Sequence, residues 1–218
     1  MPETADRTDR TTGKPRRVVK SADQRRSDLM DAALEVFAGK GFERTTVDDI
    51  ADAAGAGKGT FYRHFTSKDH LLGALWQRYV DTLLATAEVR LDEAGRRWSL
   101  PVLEAIFTEL IAVAVQNADL HRLVYASSSG PAHDICRAAN QRVVSELADY
   151  VEAGAAAGEV TTGDPRFVLG LLYEGLDATL DQFIATRDPD QLDGLAERFL
   201  PTLRDALGIA RNPNPATE

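Results

Sequence analysis

The chain is predicted to be all-α. Apolar residues recur at helical spacing along nearly its whole length, and no stretch alternates apolar with polar as a strand would. The breaks between those runs carry the residues that start and stop helices. From Ser21 or Asp23 as cap, Met30, Ala33, Leu34 and Phe37 share one face, and Gly39 or Gly41 ends the run. Thr46 caps a short helix over 47–54 with Val47, Ile50, Ala51 and Ala54 inward, and Gly55 breaks it. A second short helix follows over about 58–65. Ser67 caps a long one striped with Leu71, Leu72, Leu75, Trp76, Tyr79, Leu83 and Leu84.

After a break at 95–99, Val102, Leu103, Ile106, Phe107, Leu110, Ile111 and Ala114 repeat the period. Asp119 starts another helix that the 127–130 tract ends. Pro131, at a first-turn position, opens a long helix closed by Gly154 or Gly158. Asp164 and Pro165 open a helix apolar on two adjacent lines, a stripe broad enough for the core and for a second surface. Asp188 and Pro189 are expected to open the last helix, which Pro201 should kink or split.

Composition limits what such a chain can be. Of its 218 residues, 44% are hydrophobic and 27% charged, ordinary for a globular protein with a full core. The single Cys136 cannot form an internal disulfide. The longest apolar run, from Phe167 to Tyr173, is far short of a membrane span, which needs about 18 residues. No apolar stretch follows the N-terminal methionine as a secretory signal would, so a cytoplasmic protein without membrane partners is expected. The net charge of −9 is unevenly placed: residues 1–70 carry +1 and residues 71–218 carry −10. Residues 7–26 hold eight Lys or Arg against Asp9 and Asp23, the pattern of a basic arm on an acidic body. The expected organisation is a disordered basic arm (1–22), a helix-turn-helix unit (23–68), a helical ligand and dimerisation domain (69–210) and a loose tail (211–218).

The stretch 46–68 is the informative one. Two short helices joined by a glycine turn, with Ala51 where they meet and Ile50 and Phe61 inward, make a helix-turn-helix. Lys58 stands at the start of its second helix, able to donate to guanine O6/N7 or to a phosphate, and Gly57 and Gly59 let a backbone come close. The N-terminal amides after Thr46 offer a further anion site. The residues from Thr46 to Asp69 closely resemble the DNA-binding motif of the tetracycline-repressor (TetR) family, and 33–42 resemble its first helix. The resemblance is specific over 25–75; beyond that only length and helical layout match. It implies a homodimer with an N-terminal three-helix DNA domain and a C-terminal helical domain for ligand and dimer contacts. By resemblance, Lys58, Gly59 and Tyr62 supply groove contacts, and Thr46, Thr60, Tyr62, His64 and Lys68 hold phosphates. Alternatively, Tyr62 packs on the first helix, His64 is a surface histidine, and Lys68 merely caps the next helix. Asp48 and Asp49 depart from a basic pattern and should repel phosphate unless they point away.

Catalysis has no carrier in the sequence. His133 and Cys136 lack converging metal partners, and the serine tract at 127–129 lacks a base. The glycines at 55–59 lack the spacing of a phosphate loop, and no metal or cofactor is expected. About 140 helical residues nevertheless exceed what a DNA anchor requires. Trp76, Tyr79, Phe107, Ile111, Tyr125, Cys136, Asn140, Val143, Tyr173 and Asp177 are the candidates for a small-molecule site between helices, each of them core or solvent-facing otherwise. The helices over 164–187 and 189–207 are expected to form a four-helix dimer bundle through Val168, Leu172, Leu176, Leu180, Phe183, Leu195, Phe199 and Leu203. The function expected is a transcriptional repressor on a near-palindromic operator, released by a hydrophobic or amphipathic ligand. The rival readings are a DNA-binding dimer without a ligand, a helical binding protein that never engages DNA, and an enzyme.

Overall fold

In the computed structural model, which describes residues 20–126, 131–186, 192 and 194–210 (the side chains of 125, 126 and 131–133 excepted), the described residues form nine helices and no strand. The first, α1 (Ala22–Lys40), opens at Ser21. The Ser21 hydroxyl accepts from the Gln24 N–H, and the Gln24 side chain accepts from the Ser21 N–H. This reciprocal cap satisfies donors that a helix start leaves bare, and it begins the helix inside the arm expected to run to residue 22. Most of that arm, the tract 127–130, the segment around Asp188 and Pro189, and the tail 211–218 lie outside the described residues.

Two short helices follow, α2 (Val47–Ala53) and α3 (Lys58–His64). Gly55 turns between them at φ 58°, a left-handed conformation that costs glycine nothing, and the Ala56 N–H donates to the Ala51 carbonyl at 2.8 Å. The 26-residue α4 (Lys68–Glu93) belongs to both halves of the molecule. Its first turns bury Leu71 and Leu72 with Phe37, Ile50, Phe61 and Phe65 of the preceding helices. Farther along, Trp76, Leu83 and Leu91 meet α5 (Leu100–Gln116) and α7 (Pro131–Ala156). One connected apolar core therefore runs from end to end.

The helix α6 (Ala118–Ala126) leaves α5 at a 76° bend, touching α1 on one side and α8 (Pro165–Thr186) on the other. Helix α7 packs between α4 and α8, and α9 (Leu195–Ala206) lies on α5 and α8. Glycine sets the closest of these approaches. A Cβ at Gly73 would sit 2.8 Å from the Ile135 side chain, so α4 and α7 could not meet as they do with any larger residue there. No single helix among the described residues is long and apolar enough to cross a membrane.

Of the two glycines expected to close α7, Gly158 is the one that does, and Pro201 departs from expectation. Gly154 does not end α7; it lies under the Trp98 ring, 2.5 Å from where its Cβ would be, and the helix stops before Gly158 at φ 78°. Helix α9 starts after Gly194 at φ 70°, and the expected helix start at Asp188 and Pro189 lies outside the described residues. Pro201 does not split it, because Pro201 and Glu197 are both exposed and water can take up the carbonyl that proline leaves without a donor.

Candidate nucleic-acid interface and ligand cleft

The edge of α3 is built on Phe61 and Phe65, both buried, with ring centroids 5.7 Å apart. Anchoring those two rings turns Lys58, Gly59 and Tyr62 outward. Tyr62 is 52% exposed, which rules out the packed alternative, and it meets Phe61 only edge-on. Nothing lies within 4 Å of a Cβ built at Gly57 or Gly59, and neither has a positive φ. Gly57 is the N-cap of α3, a place glycine fills readily, whereas packing within the chain gives no reason for Gly59, inside a helix where glycine costs about 1 kcal/mol against alanine. Thr60 is half-buried beside them.

The carboxylates of α2 do point away from repulsion. Lys58 Nζ donates to Asp48 at 3.0 Å, and this pairing raises the lysine's pKa. Asp49 accepts from the Thr46 N–H at 2.8 Å and from the Thr46 hydroxyl at 2.7 Å, while the Thr46 hydroxyl accepts from the Asp49 N–H. Lys40 adds an ammonium at 2.6 Å, which holds the Asp49 carboxyl well below the usual range. The chain's own carboxylate therefore occupies the α2 start, where a free anion site was expected, and Thr46 is the cap beneath it.

Two expected phosphate contacts are corrected. Lys68 Nζ lies 4.4 Å from the Phe42 ring centroid and donates to the carbonyls of Phe42 at 2.8 Å and Glu43 at 3.2 Å. It closes the loop after α1 instead of facing outward. His64 Nε2 is inaccessible and has no hydrogen-bond partner in the protein, and burial lowers its pKa. The Nε2 edge of His64 is therefore turned inward, away from where a phosphate would lie.

The second feature is a cleft of about 460 Å³ between α4, α6, α7 and α8. Trp76, Asn140 and Asp177, three of the expected ligand residues, line it, together with Cys136. They form a chain: Trp76 Nε1 donates to Asn140 Oδ1 at 2.8 Å, and Asn140 Nδ2 donates to Asp177 Oδ2 at 3.0 Å. The sequence reading overlooked the neighbouring chain. His121 Nδ1 lies 2.7 Å from Asp181 Oδ1, and its Nε2 lies 3.0 Å from the Tyr79 hydroxyl. A carboxylate at Nδ1 places the ring proton there, leaving Nε2 to accept from the phenol, whose own proton burial holds firmly. Burial also pushes the Cys136 thiol up to about 12, so it is a thiol and not a nucleophile.

The other expected ligand residues are not at the cleft. Phe107 and Val143 are fully buried core, with Phe107 stacked 5.1 Å from Phe199. Tyr79, Ile111 and Tyr173 border a gap of about 20 Å³, no larger than a single water needs, and Ile111 also edges an open groove of about 350 Å³ between α5 and the start of α9. The Tyr125 side chain lies outside the described residues. No group of three or more His, Cys, Asp or Glu among the described residues is arranged to hold a metal ion.

Burial pushes the Asp177 carboxyl up to about 6, with the nearby Asp181 charge adding to the effect. The unfolded chain then loses this proton first as pH rises from the ordinary 3.8, so the carboxyl reduces folding stability between about pH 4 and 6. By pH 7 the cost is on the order of 2 kcal/mol. Asp177→Asn should raise the thermal midpoint at pH 7 by about 4–8 °C, and the gain should shrink at pH 4. Calorimetry at the two pH values checks this; a gain independent of pH would contradict it.

The third feature is an apolar groove of about 350 Å³ along α8 and α9, bordered by Leu172, Phe183 and Phe199. Beside it, Phe167 is 64% and Leu171 59% exposed. The expected dimer set is thereby divided. Val168, Leu172, Phe183 and Phe199 are half-buried, whereas Leu176, Leu180, Leu195 and Leu203 are buried in their own chain and present little to a second copy. The broad stripe of α8 is buried in its own chain along the line through Leu176 and Leu180. Phe167 and Leu171, absent from the expected set, are exposed.

Residues 29–75 match the family of bacterial regulatory proteins, tetR family. The chain is 46% identical over 87 residues to the HTH-type transcriptional activator FasR of Mycolicibacterium smegmatis, an alignment covering 39% of this chain and 40% of FasR. At 18% identity it superposes on a TetR-family transcriptional regulator of Syntrophomonas wolfei with a TM-score of 0.74, covering 89% of this chain and 100% of the other. The TetR-family transcriptional repressor FadR of Thermus thermophilus, solved with lauroyl-CoA, gives a TM-score of 0.66 at 20% identity, over 88% of this chain and 100% of that one. The two structures share the fold along nearly the whole chain.

Proposed function

The chain belongs to the tetR family of bacterial regulatory proteins, and from that premise we propose that it is a homodimeric transcriptional repressor, released from a near-palindromic operator by a small molecule. The observation that carries the DNA-binding part is the outward edge of α3. Lys58, Gly59 and Tyr62 stand together there on a buried aromatic footing, and an outside surface gives a reason for Gly59 that packing within the chain does not. Two such helices in a dimer would enter successive major grooves, about 34–36 Å apart. Lys58 would exchange Asp48 for a base edge or phosphate, and Asp48 holds it in place until then.

The cleft supports the ligand-responsive part. It is bordered by α6, and α6 touches α1 of the DNA-reading unit, so a molecule seated there can favour one arrangement of the two over another. It acts only as far as it binds those arrangements unequally. The lauroyl-CoA complex of the Thermus thermophilus repressor, which shares the fold, supports a small-molecule role. The name of FasR favours an activator instead, but the 40% of FasR that aligns is too small a share to carry the sign of regulation.

Selection from random duplexes should return a palindrome. Lys58→Ala should lower affinity for it by about tenfold or more, since a good base contact is worth roughly 1–3 kcal/mol. Tyr62→Phe should weaken binding less. Failure to enrich any sequence, or unchanged affinity in both variants, would reject the DNA-binding reading.

A further inference from the structure

The cleft at Trp76 is one-sided in what it offers a ligand. The indole N–H of Trp76 is turned onto Asn140, the Asn140 amide onto Asp177, and the His121 ring onto Asp181. Acceptors remain: the second oxygens of Asp177 and Asp181, and the Glu174 carboxylate, all on the cleft's α8 wall. The cation among the lining residues, Arg137, is 3.2 Å from Asp134 and largely solvent-facing. Among the described lining residues, three carboxylates thus meet one paired guanidinium and one neutral amide, that of Gln182, across a space of drug-like size, about 460 Å³. The Trp76 ring, on α4 and almost wholly buried, borders the same space with the edge its neighbours leave open. It is held edge-to-face against His121 at 4.8 Å and cannot turn away without breaking its bond to Asn140.

We propose that this cleft binds an organic cation, an onium or protonated amine on an apolar body, with the charge against Asp177 and Glu174 and the body against Trp76. An anion would meet like charge in a partly desolvated site, where repulsion is poorly screened. A cation relieves the Asp177 carboxylate of the burial that raises its pKa, and its body meets the open edge of Trp76. The cation also explains why a costly buried carboxyl stands where an asparagine would serve the Asn140 hydrogen bond equally well. The claim rests on the small-molecule role proposed above only for its effect on DNA; binding itself can be measured without it.

Tetraphenylphosphonium and tetraphenylborate have the same shape and opposite charge. Titration calorimetry of the full-length protein with each should show the phosphonium binding at one site per chain, at least about tenfold more tightly than the borate. Asp177→Asn should weaken phosphonium binding about tenfold, and Glu174→Gln, a change at an exposed position, about threefold. Neither should weaken binding of the borate. Equal affinity for the two probes, preference for the borate, no binding of either, or full phosphonium affinity in both variants would overturn the proposal. Adding phosphonium to the protein on its selected operator separates the two readings. Release of the duplex supports both, whereas binding without release keeps the cation site and removes its role as effector site.

Discussion

Leu171→Asp should convert the protein to a monomer, with about a 100-fold loss of operator affinity. Leu171 is 59% exposed in the single chain, beside Phe167 and the groove of Leu172, Phe183 and Phe199. A carboxylate there costs the monomer little, because it remains in water. In a two-fold interface it is counted twice, each time facing a largely apolar surface whose cation, Arg198, already lies over the Phe183 ring. The loss on DNA follows from separating two linked half-site contacts, whose combination exceeds either alone by roughly 10²–10⁴. Sedimentation velocity reads the first effect and operator titration the second. A persistent dimer would move the interface off α8 and α9. The same substitution at Leu180 would be uninformative, because Leu180 is 4% exposed and its loss would unfold the chain.

Phe61→Ala should destabilise the whole protein by about 3–5 kcal/mol, the usual cost of removing a buried ring. Phe61 is fully buried, and it seats the edge that carries Lys58 and Tyr62. Its core continues through Leu71 and Leu72 into α4 and on to Trp76 and Leu83 without interruption. One cooperative transition should therefore move down by roughly 10 °C, with operator binding lost because α3 is no longer held in place. Thermal scans by circular dichroism check it. A separate low-temperature transition, with the remainder melting at the original midpoint, would show that α4 does not couple the two parts.

Much of this architecture could be read in the residues. The caps at Ser21, Thr46 and Ser67, the glycine turn at Gly55 and the proline at 165 mark helix ends through local chemistry, and local chemistry is written in neighbouring residues. Gly154 and Pro201 misled for the complementary reason. Each reads as a breaker by propensity, yet one is needed beneath Trp98 and the other lies where water can satisfy the freed carbonyl. Neither circumstance is visible along the chain.

The site residues divide in the same way. Lys58, Gly59 and Tyr62 stand on the outward edge because helical periodicity alone opposes them to Phe61 and Phe65. Lys68 and His64 are as polar as their neighbours, and only the folded loop after α1 and the packing of α3 turn them inward. Trp76, Asn140 and Asp177 could be proposed singly, but their order as a hydrogen-bonded chain spans more than a hundred residues. His121 and Asp181, 60 residues apart, carry no mutual signal at all.

By itself the sequence determined an all-α chain, its helix-turn-helix and the separation of a basic beginning from an acidic body, because periodicity, capping and charge are local or additive. Only the tertiary structure decided which apolar line of α8 faces its own core and which faces outward. It alone set the three carboxylates that share a face of α8 by helical spacing around one cleft with Trp76 of α4. Those outcomes depend on which helices pack together, and packing joins residues that the sequence keeps far apart.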